Sequence, residues 1–556
     1  MNLLRLLRSE SRTSPRRLLW IATLSGLANA LILAVINSAA SSTLTHAENF
    51  RALVLFALVL SLYIVTQKYL LVTSTVEIER ILDKIRVRIT DKIRHSELLP
   101  LEKIGRAAIY ASVSKETLTI SQAAAIIVIA CQAAILIVFT LLYLAWLSRA
   151  AFFLCVALTL VALSIHFART RELSRDLHEA MARENRFVDA LNDILDGFKE
   201  VKMNRARSAE VFADTRRISD SVAAIKIKTQ TQFALHFIFS QTSFYILIAA
   251  IVFLLPRITS TPPSVLTKVT AAILFIIGPI SNMISAIPTV AAANAAIENI
   301  YKLEAALETA LEATPDRGEL PAPTAGESPP GNPFASFRQI ELQDVSFEFP
   351  DAGGGGAPFR IGPIHLTLEA GETLFIVGGN GTGKSTFLLL LTALYYPTTG
   401  AIRVDGVKVD PANYDEYRDL FSVIFSDYHL FKRLYGIPGV TEEQVARLLD
   451  LLRIEGKTRF SNGEFETLDL STGQKKRLAL LVSFLENRPI CVFDEWAADQ
   501  DPVFRKFFYE VLLRRMKEEG RTIIAATHDD RYFHVADRVL RMEDGKLTRL
   551  RDGAGI

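Results

Sequence analysis

Long apolar stretches alternate with polar segments up to about residue 300, and no stretch of this length follows. A membrane-spanning helix needs about 20 mostly apolar residues. Six stretches meet this requirement, near residues 18–40, 51–73, 120–142, 149–168, 233–256 and 264–297. One such stretch also fits a buried helix of a soluble protein, but six in succession predict a bundle of membrane-spanning helices.

The segments between these stretches differ in length and charge. Residues 41–50, 143–148 and 257–263 are short and weakly charged, whereas residues 74–118 and 169–232 are long and rich in Lys and Arg. Loops that carry an excess of Lys and Arg remain on the cytoplasmic side of a membrane. The long segments and the basic N-terminus are therefore predicted to face the cytoplasm, and six spans return the chain to that side.

The long segments keep the apolar spacing of helices. Apolar residues recur at three- and four-residue steps in the first of them, which predicts helices that continue beyond the membrane. These residues are Ile78, Leu82, Ile85, Ile89 and Ile93. A turn is predicted between Pro100 and Gly105 in the first segment and around Gly197 in the second.

Composition agrees with a chain that lies partly in lipid. Hydrophobic residues make up 50% of the 556 positions, and the mean hydropathy is +0.25, which is unusual for a soluble protein. The formal net charge of +2 gives no sign of nucleic-acid binding. The lipid bilayer is a predicted partner and nucleic acid is not.

A change of composition divides the chain. Residues 312–335 are rich in Pro, Gly and Ala and lack periodicity, which predicts a linker. Residues 1–311 then form a six-helix transmembrane domain with two long cytoplasmic loops. Residues 336–556 are predicted to form alternating strands, turns and helices, as in an α/β domain. The predicted fold is a membrane α-helical bundle with cytoplasmic extensions, followed by an α/β domain.

The segment LFIVGGNGTGKST reads as a strand, a glycine-rich loop and a helix. It matches the phosphate-loop pattern, in which backbone N–H groups and a helix start surround nucleotide phosphates. Lys384 is placed to contact the β- and γ-phosphates, and the Ser385 hydroxyl is placed to bind Mg²⁺. The candidate ATP-binding residues here are Gly378, Asn380, Gly381, Gly383, Lys384, Ser385 and Thr386.

An apolar strand in PICVFDEW ends in two carboxylates. Asp494 is placed to hold Mg²⁺, directly or through water. Glu495 is placed to polarise the attacking water as a general base. A solvated strand end would also carry such a pair, but the phosphate loop upstream favours a site for ATP hydrolysis.

With these motifs in place, the second domain resembles the nucleotide-binding domain of the ABC transporter family. LDLSTGQKKR resembles the signature loop of that family, with Thr472 where the family usually has Gly. AADQDP resembles its D-loop. The residues that match the ATP-contacting positions of these two loops are Ser471, Gly473, Gln474 and Asp501.

Two further segments carry the resemblance and imply roles. TIIAATHDD resembles the switch strand. This implies that His528 contacts the γ-phosphate and is a catalytic residue together with Lys384 and Glu495. VSFEFP resembles the aromatic A-loop, which implies that Phe349 stacks on adenine. As an ordinary strand aromatic, Phe349 would instead belong to the core.

The sequence departs from the family at the glutamine loop. In FSVIFSDYHLF, Ser426 stands where the family has Gln, and Asp427 follows it. The family glutamine touches the metal and the water and couples the ATP state to the membrane helices. Ser426 and Asp427 are both candidates for this metal-side position.

Four segments extend the resemblance to bacterial exporters of cyclic peptides and siderophore precursors. They are LEKIGRAAIYASVSKE, VIFSDYHLF, LDLSTGQKKRLAL and FDEWAADQDP. This implies ATP-driven export of a cyclic or modified peptide, or a siderophore precursor, across the bacterial inner membrane by alternating access. It also implies a homodimer, in which the phosphate loop of one copy and the signature loop of the other hold each ATP.

Two other functions remain open on the sequence. An exporter of lipid or a hydrophobic drug would use the same ATPase. A membrane ATPase that transmits force to a periplasmic partner belongs to a different class, and the short outer loops argue against it. Polar residues of the last two stretches, among them Gln241, Ser243 and Asn282, are expected to meet a cavity or another helix, because lipid would leave them unpaired.

Overall fold

The computed structural model describes residues 5–6, 10, 15–40, 46–259, 262–312, 332–349 and 359–552. The chain forms two compact units. The first comprises Met1–Arg94 and Gly105–Ala306, and the second comprises His95–Ile104 and Leu307–Ile556. The predicted linker lies largely outside the described residues.

Helices account for almost all described residues between Pro15 and Glu312. They are α1 Pro15–Ala40, α2 His46–His95, α3 Leu98–Ile104, α4 Arg106–Tyr110, α5 Thr117–Leu147, α6 Arg149–Asp196, α7 Phe198–Met203, α8 Arg205–Ala249, α9 Leu255–Ile258 and α10 Pro263–Glu312. Short π-helical stretches, Ala111–Glu116 and Ala250–Leu254, connect α4 to α5 and α8 to α9. Helices α2 and α10 have 50 residues each, far more than the roughly 20 that cross a bilayer, so each continues beyond its apolar part.

Five helical stretches are long and apolar enough to cross a membrane. They are Arg16–Ala39, Phe50–His95, Ala108–Leu147, Arg205–Ile258 and Pro263–Leu311. In α6, where the fourth of six spans was predicted, the apolar stretch within the described residues is the shorter Arg149–Val161. The predicted count of six spans is therefore not confirmed, because the described apolar part of α6 is shorter than a bilayer requires.

Both predicted turns lie where helices end. Gly197 separates α6 from α7. Gly105 separates α3 from α4 with φ +81°, a left-handed conformation that glycine adopts without steric cost. Pro100 lies in the first turn of α3, where its missing N–H removes no helical hydrogen bond.

Polar side chains within the apolar helices bind each other. Gln67 of α2 and Gln132 of α5 exchange hydrogen bonds of 3.1 and 2.6 Å. The Ser25 hydroxyl of α1 donates to the same Gln67 amide oxygen at 3.2 Å. Such contacts satisfy polar groups that lipid would leave unpaired and fix neighbouring helices against each other.

The second unit contains, within its described residues, three sheets and six further α-helices. The strands are β1 Gln339–Glu348, β2 Arg360–Glu369, β3 Thr373–Val377, β4 Thr399–Val404, β5 Val407–Lys408, β6 Phe421–Ile424, β7 Phe460–Ser461, β8 Glu464–Phe465, β9 Ile490–Asp494, β10 Thr522–Ala526, β11 Arg538–Glu543 and β12 Lys546–Asp552. The helices are α11 Lys384–Leu391, α12 Tyr414–Arg418, α13 Glu442–Leu451, α14 Thr472–Glu486, α15 Pro502–Phe507 and α16 Leu513–Glu518.

The central sheet has the strand order β12-β11-β3-β10-β9-β6. Its strands are parallel except β12. Strands β3, β9 and β10 are buried along their whole length, as expected for a parallel sheet covered on both faces. The carboxyl ends of parallel strands meet at one edge, where ligands bind in such folds. The loops that follow β3, β6, β9 and β10 therefore come together there.

Helix α3 packs with the second unit, although it follows α2 in the chain. Two leucines at its start contact the core around β1 and α11. The Tyr395 hydroxyl donates to Glu102 Oε2 at 2.8 Å. Arg418 donates from Nη2 to Glu97 Oε2, also at 2.8 Å, and the Glu97 side chain is only 7% exposed. This ion pair is thus largely shielded from water.

Candidate nucleotide site

The phosphate loop leaves β3 with a backbone that side chains would obstruct. At Gly378, φ is +158° and a Cβ atom would lie 2.4 Å from the Met542 carbonyl oxygen. At Gly383, which precedes α11, φ is +102° and a Cβ atom would lie 2.9 Å from the Ile361 side chain. Glycine is required at both positions because any other residue would be strained and crowded.

The Lys384 ammonium lies inside this loop. It is 5% exposed and donates hydrogen bonds of 3.1 Å to the carbonyl oxygens of Gly378 and Gly379. Its Nζ also lies 3.1 Å from His528 Nε2 and 3.3 Å from Glu495 Oε1. The three residues predicted as catalytic are therefore in mutual contact.

Glu495 follows β9 and points its carboxylate at His528. The Glu495 Oε1 atom lies 2.9 Å from His528 Nε2. Burial disfavours the charged form of Glu495, but hydrogen bonds from His528 and Lys384 outweigh it and hold the pKa of this carboxyl below its usual value. Glu495 is thus ionised near neutral pH, as a general base must be.

Asp494 is 1% exposed, and its two carboxylate oxygens accept no hydrogen bond. Burial raises the pKa of this carboxyl, and the hydroxyls of Ser385 and Ser426 oppose the rise, although neither reaches hydrogen-bonding geometry. A buried carboxylate without a partner is costly unless a cation neutralises it. Carboxylate, hydroxyl and phosphate oxygens are the ligands that Mg²⁺ prefers, so these residues fit a magnesium ion.

The two candidates for the glutamine-loop position differ in their surroundings. Ser426 lies beside Asp494, with both its N–H and its hydroxyl near that carboxylate. Asp427, which is exposed as Ser426 is, lies near Tyr395, where it adds to the effects of burial and Glu102 in raising the pKa of that phenol. The geometry therefore favours Ser426 as the side chain nearest a metal.

Phe349 follows β1 at the edge of the antiparallel sheet. It is half-buried and makes edge-to-face contacts with Phe347 and Tyr395 at ring separations of 5.0 and 5.9 Å. Phe347 is 3% exposed and belongs to the core. Of the two phenylalanines, Phe349 is the one that keeps a free ring surface for adenine.

Phe349→Ala is expected to weaken ATP binding by about 1–3 kcal/mol, the range for stacking between a base and an aromatic ring. Phe349→Trp retains a stacking surface and is expected to bind ATP with nearly normal affinity. Nucleotide titration of both purified variants measures this. Normal affinity of the alanine variant would assign Phe349 to the core alone.

The signature-loop residues cap α14. Ser471 Oγ accepts a hydrogen bond from the Gln474 N–H, and the Gln474 side chain accepts one from the Ser471 N–H, which is a capping box. Gly473 is close to the loop after β9, because a Cβ atom there would lie 2.7 Å from the Asp499 carbonyl oxygen. Glycine at position 473 therefore allows the start of α14 to approach the loop after β9 closely.

Asp501 caps α15 and binds the signature helix. Its carboxylate accepts hydrogen bonds from the N–H groups of Val503 and Phe504 at 3.1 and 2.9 Å and pairs with Arg477 at 2.6 Å. The Phe504 N–H and the Arg477 guanidinium hold the pKa of Asp501 below its usual value.

The candidate residues thus form two clusters. One contains the phosphate loop, Ser426, Asp494, Glu495 and His528. The other contains the signature loop and Asp501. Within the part of the chain that the structure describes, no hydrogen bond or ion pair joins Ser471, Gly473 or Gln474 to Lys384 or the Glu495 carboxylate.

Sequence reasoning missed Lys476, whose ammonium donates to the Glu495 carbonyl oxygen. A signal for it was present: α14 begins with no acidic residue in its first turn and continues with Lys475, Lys476 and Arg477. Cations near the positive end of a helix dipole are unfavourable unless carboxylates or carbonyls pair with them. The contacts of α3 were also missed, because its partners are remote in sequence.

Comparison with known proteins agrees with this site. A family model described as "ABC transporter" matches residues 361–498. The "ATP-binding protein SyrD" of Pseudomonas syringae pv. syringae is 30% identical over 481 residues, which cover 84% of this chain and 82% of that protein. A match of this length includes the helical part as well as the ATPase part.

Two further relatives match over shorter regions. The "Probable syringafactin export ATP-binding/permease protein SyfD" of Pseudomonas syringae pv. syringae is 31% identical over 225 residues, 37% of this chain and 33% of that protein. The "Mycobactin import ATP-binding/permease protein IrtB" of Mycolicibacterium smegmatis is 29% identical over 242 residues, 41% of this chain and 40% of that protein.

Apolar helices of membrane-spanning length and a phosphate-loop ATPase unit in one chain define an ATP-driven transporter in which permease and ATPase are fused. The chain belongs to the ABC transporter family, as the match to SyrD over most of both chains shows. It is a multi-pass membrane protein that binds ATP and couples its hydrolysis to transport.

Proposed function

We propose that the protein exports an amphipathic, peptide-derived compound from the cytoplasm across the bacterial inner membrane. A cyclic or modified peptide and a siderophore precursor both belong to this class. The observation that carries the proposal is a cavity of about 260 Å³ among the apolar helices α5, α6, α8 and α10.

The cavity lining combines apolar surface with hydroxyls. Among the described residues, its hydroxyl groups come from Thr159, Ser240 and Ser243, the other lining residues are apolar, and none of them is ionisable. Sites of this composition bind their ligands mainly through apolar contact, and a few polar groups set the orientation of the ligand. This favours a compact cargo with both apolar surface and amide groups. Of the polar residues expected to meet a cavity, Ser243 lines this one, whereas Gln241 and Asn282 do not.

Hydrolysis rests on the cluster around Lys384. Lys384 binds the β- and γ-phosphates, Glu495 activates the attacking water, and His528 orients Glu495 and contacts the γ-phosphate. Ser385, Asp494 and Ser426 would hold Mg²⁺, which when bound neutralises charge on the phosphates. The low pKa of Glu495 and the unpaired carboxylate of Asp494 support these roles.

A homodimer completes each site. Within the described part of one chain, no hydrogen bond or ion pair joins the signature-loop residues to Lys384. This supports an arrangement in which Ser471, Gly473 and Gln474 meet the ATP held by the partner copy. Two identical chains then form two equivalent sites. ATP binding favours the closed state of the dimer and hydrolysis releases it, which alternates access to the cavity.

The proposed topology has six spans with the ATPase unit in the cytoplasm. The basic segments in the second half of α2 and within α6 support a cytoplasmic location by the distribution of Lys and Arg. The outer connections are then residues 41–45, Ser148 and residues 259–262. Connections this short leave no room for a large periplasmic domain, which argues against a force-transmitting ATPase.

Ser243→Leu is expected to raise the KM of the transported peptide by about tenfold, because one added apolar group in a pocket changes affinity by this order. Basal ATP hydrolysis should remain, since the cavity lies outside the nucleotide site. Thr242→Leu, at an exposed neighbouring position that does not line the cavity, is the matched control. An equal effect of both variants would indicate that Ser243 serves helix packing and does not contact the cargo.

Transport by the purified protein in lipid vesicles tests the function. Cyclic peptides, siderophore precursors, lipids and a hydrophobic dye are compared with the normal protein and Glu495→Gln. Peptide accumulation in inside-out vesicles that depends on Glu495 would support export. Transport of lipid or dye alone would favour the alternative exporter, and uptake in the opposite direction, as in the name of the mycobactin relative, would reverse the assignment.

A further inference from the structure

Lys476 is a buried cation next to the hydrolytic site. It lies on α14, the signature helix, and is 4% exposed. Its Nζ donates to the Glu495 carbonyl oxygen at 2.9 Å and pairs with Asp499 Oδ2 at 2.7 Å. It contacts the backbone of Glu495 and not the carboxylate, so it acts on the orientation of that residue.

The backbone of Glu495 needs such support. Its φ is +49°, a left-handed conformation that costs a residue with a side chain about 1–2 kcal/mol. The Glu495 N–H donates to the Ala526 carbonyl oxygen at 3.1 Å, which fixes one side of the residue to β10. The Lys476 ammonium fixes the other side. Together these bonds direct the carboxylate toward His528.

A lysine at this position is unfavourable unless its partners are in place. Burial of an ammonium is costly without hydrogen bonds, and the positive end of the α14 dipole adds to the cost. The Glu495 carbonyl and Asp499 carboxylate offset both. If Asp499 or Glu495 moves, Lys476 loses its partners, so the signature helix and the loop after β9 are expected to move together.

We propose that Lys476 is a positioning residue for ATP hydrolysis, which holds Glu495 in its productive backbone conformation and joins it to the signature helix. The proposal rests on the role of Glu495 as general base. Ser471 and Gly473 begin the same helix and are assigned to the ATP of the partner copy. Contact with that ATP therefore acts through α14 and Lys476 on the general base of the chain's own site.

Trp496 supplies a spectroscopic signal for this contact. It is 1% exposed, and its indole Nε1 donates to the Lys476 carbonyl oxygen at 2.9 Å. The chain has 3 tryptophans, so replacing Trp20 and Trp146 by Phe leaves Trp496 as the single emitter. Its fluorescence then reports on the surroundings of Lys476 as nucleotide binds.

The test compares Lys476→Met, Lys476→Arg and Lys517→Met in the full-length dimer in lipid. Methionine keeps the chain length and removes the charge, and displacement of a catalytic group can reduce turnover on the order of 100-fold. For Lys476→Met we expect a loss of kcat of this order with KM for ATP within about threefold, and no ATP-dependent change of Trp496 fluorescence. Lys476→Arg should restore part of kcat.

Lys517→Met is the matched control because Lys517 pairs with Asp537 outside the nucleotide site. It should leave kcat unchanged. Normal turnover of Lys476→Met would overturn the proposal. A parallel loss of kcat, ATP binding and melting temperature without rescue by arginine would also overturn it, since Lys476 would then serve folding alone.

Glu495→Gln separates this proposal from the function on which it rests. If Glu495→Gln hydrolyses ATP normally, the base assignment fails. If it is inactive while Lys476→Met is active, only the Lys476 proposal fails. When both are inactive, the double variant should be no slower than Glu495→Gln, because Lys476 acts through Glu495.

Discussion

Glu495→Gln is expected to reduce ATP turnover by about 100- to 10,000-fold, the contribution of a general base, while ATP remains bound. Glutamine keeps the shape of the side chain and its contact with His528 but cannot accept the proton of the attacking water. Bound ATP should therefore accumulate, in the closed state of the proposed dimer. Turnover and nucleotide occupancy of the same purified sample measure both effects.

A carboxylate outside the site gives the control for this experiment. Glu519 pairs with Arg515 and is 41% exposed, so Glu519→Gln should hydrolyse ATP at the normal rate. Near-normal turnover of Glu495→Gln would remove Glu495 from the role of base. Loss of ATP binding together with turnover would show that the carboxylate serves the geometry of the site.

Glu97→Arg is expected to abolish transport and to leave most ATP binding. The Glu97–Arg418 pair holds the start of α3 against the rest of the second unit, and disruption of a buried ion pair costs about 3–5 kcal/mol. Arg418 is also held by the Ala393 carbonyl oxygen and by the aromatic rings of Tyr396 and Tyr414, so it stays in place and repels the new arginine. Transport in vesicles and ATP hydrolysis are measured side by side.

The exchanged pair Glu97→Arg with Arg418→Glu tests whether the ion pair itself is responsible. Reversal of both charges should restore a substantial part of transport. Lys103→Gln changes a charge at an exposed position of the same helix and should have little effect. Transport by the single Glu97→Arg variant at the normal rate would show that α3 couples through other contacts.

The contacts of α3 also bear on the missing family glutamine. That residue couples the ATP state to the membrane helices in the family, and Ser426 has a shorter side chain at this position. Here Tyr395 contacts both Phe349 and Glu102. The proposed adenine contact is therefore connected to α3 through one aromatic side chain.

The features that depend on neighbouring residues can be predicted from the amino-acid sequence. The phosphate loop is specified by glycines within one strand–loop–helix segment, and Asp494 and Glu495 by the end of one apolar strand. The apolar stretches predict the membrane helices, and Gly105 and Gly197 predict where helices break. These features are local, because the periodicity of side chains and the conformations open to glycine act over a few residues.

Contacts between residues that are distant in sequence become visible only in the folded chain. Glu97 and Arg418 are 321 positions apart, and nothing in the spacing of either residue identifies the other. Apolarity predicts that a residue is buried but not its partner, so Ser243 could be placed at a cavity, and Gln241 and Asn282 away from it, only once the helices were packed. Lys476 reaches Glu495 because the start of α14 lies against the loop after β9, and that approach is set by the packing of the second unit around its parallel sheet.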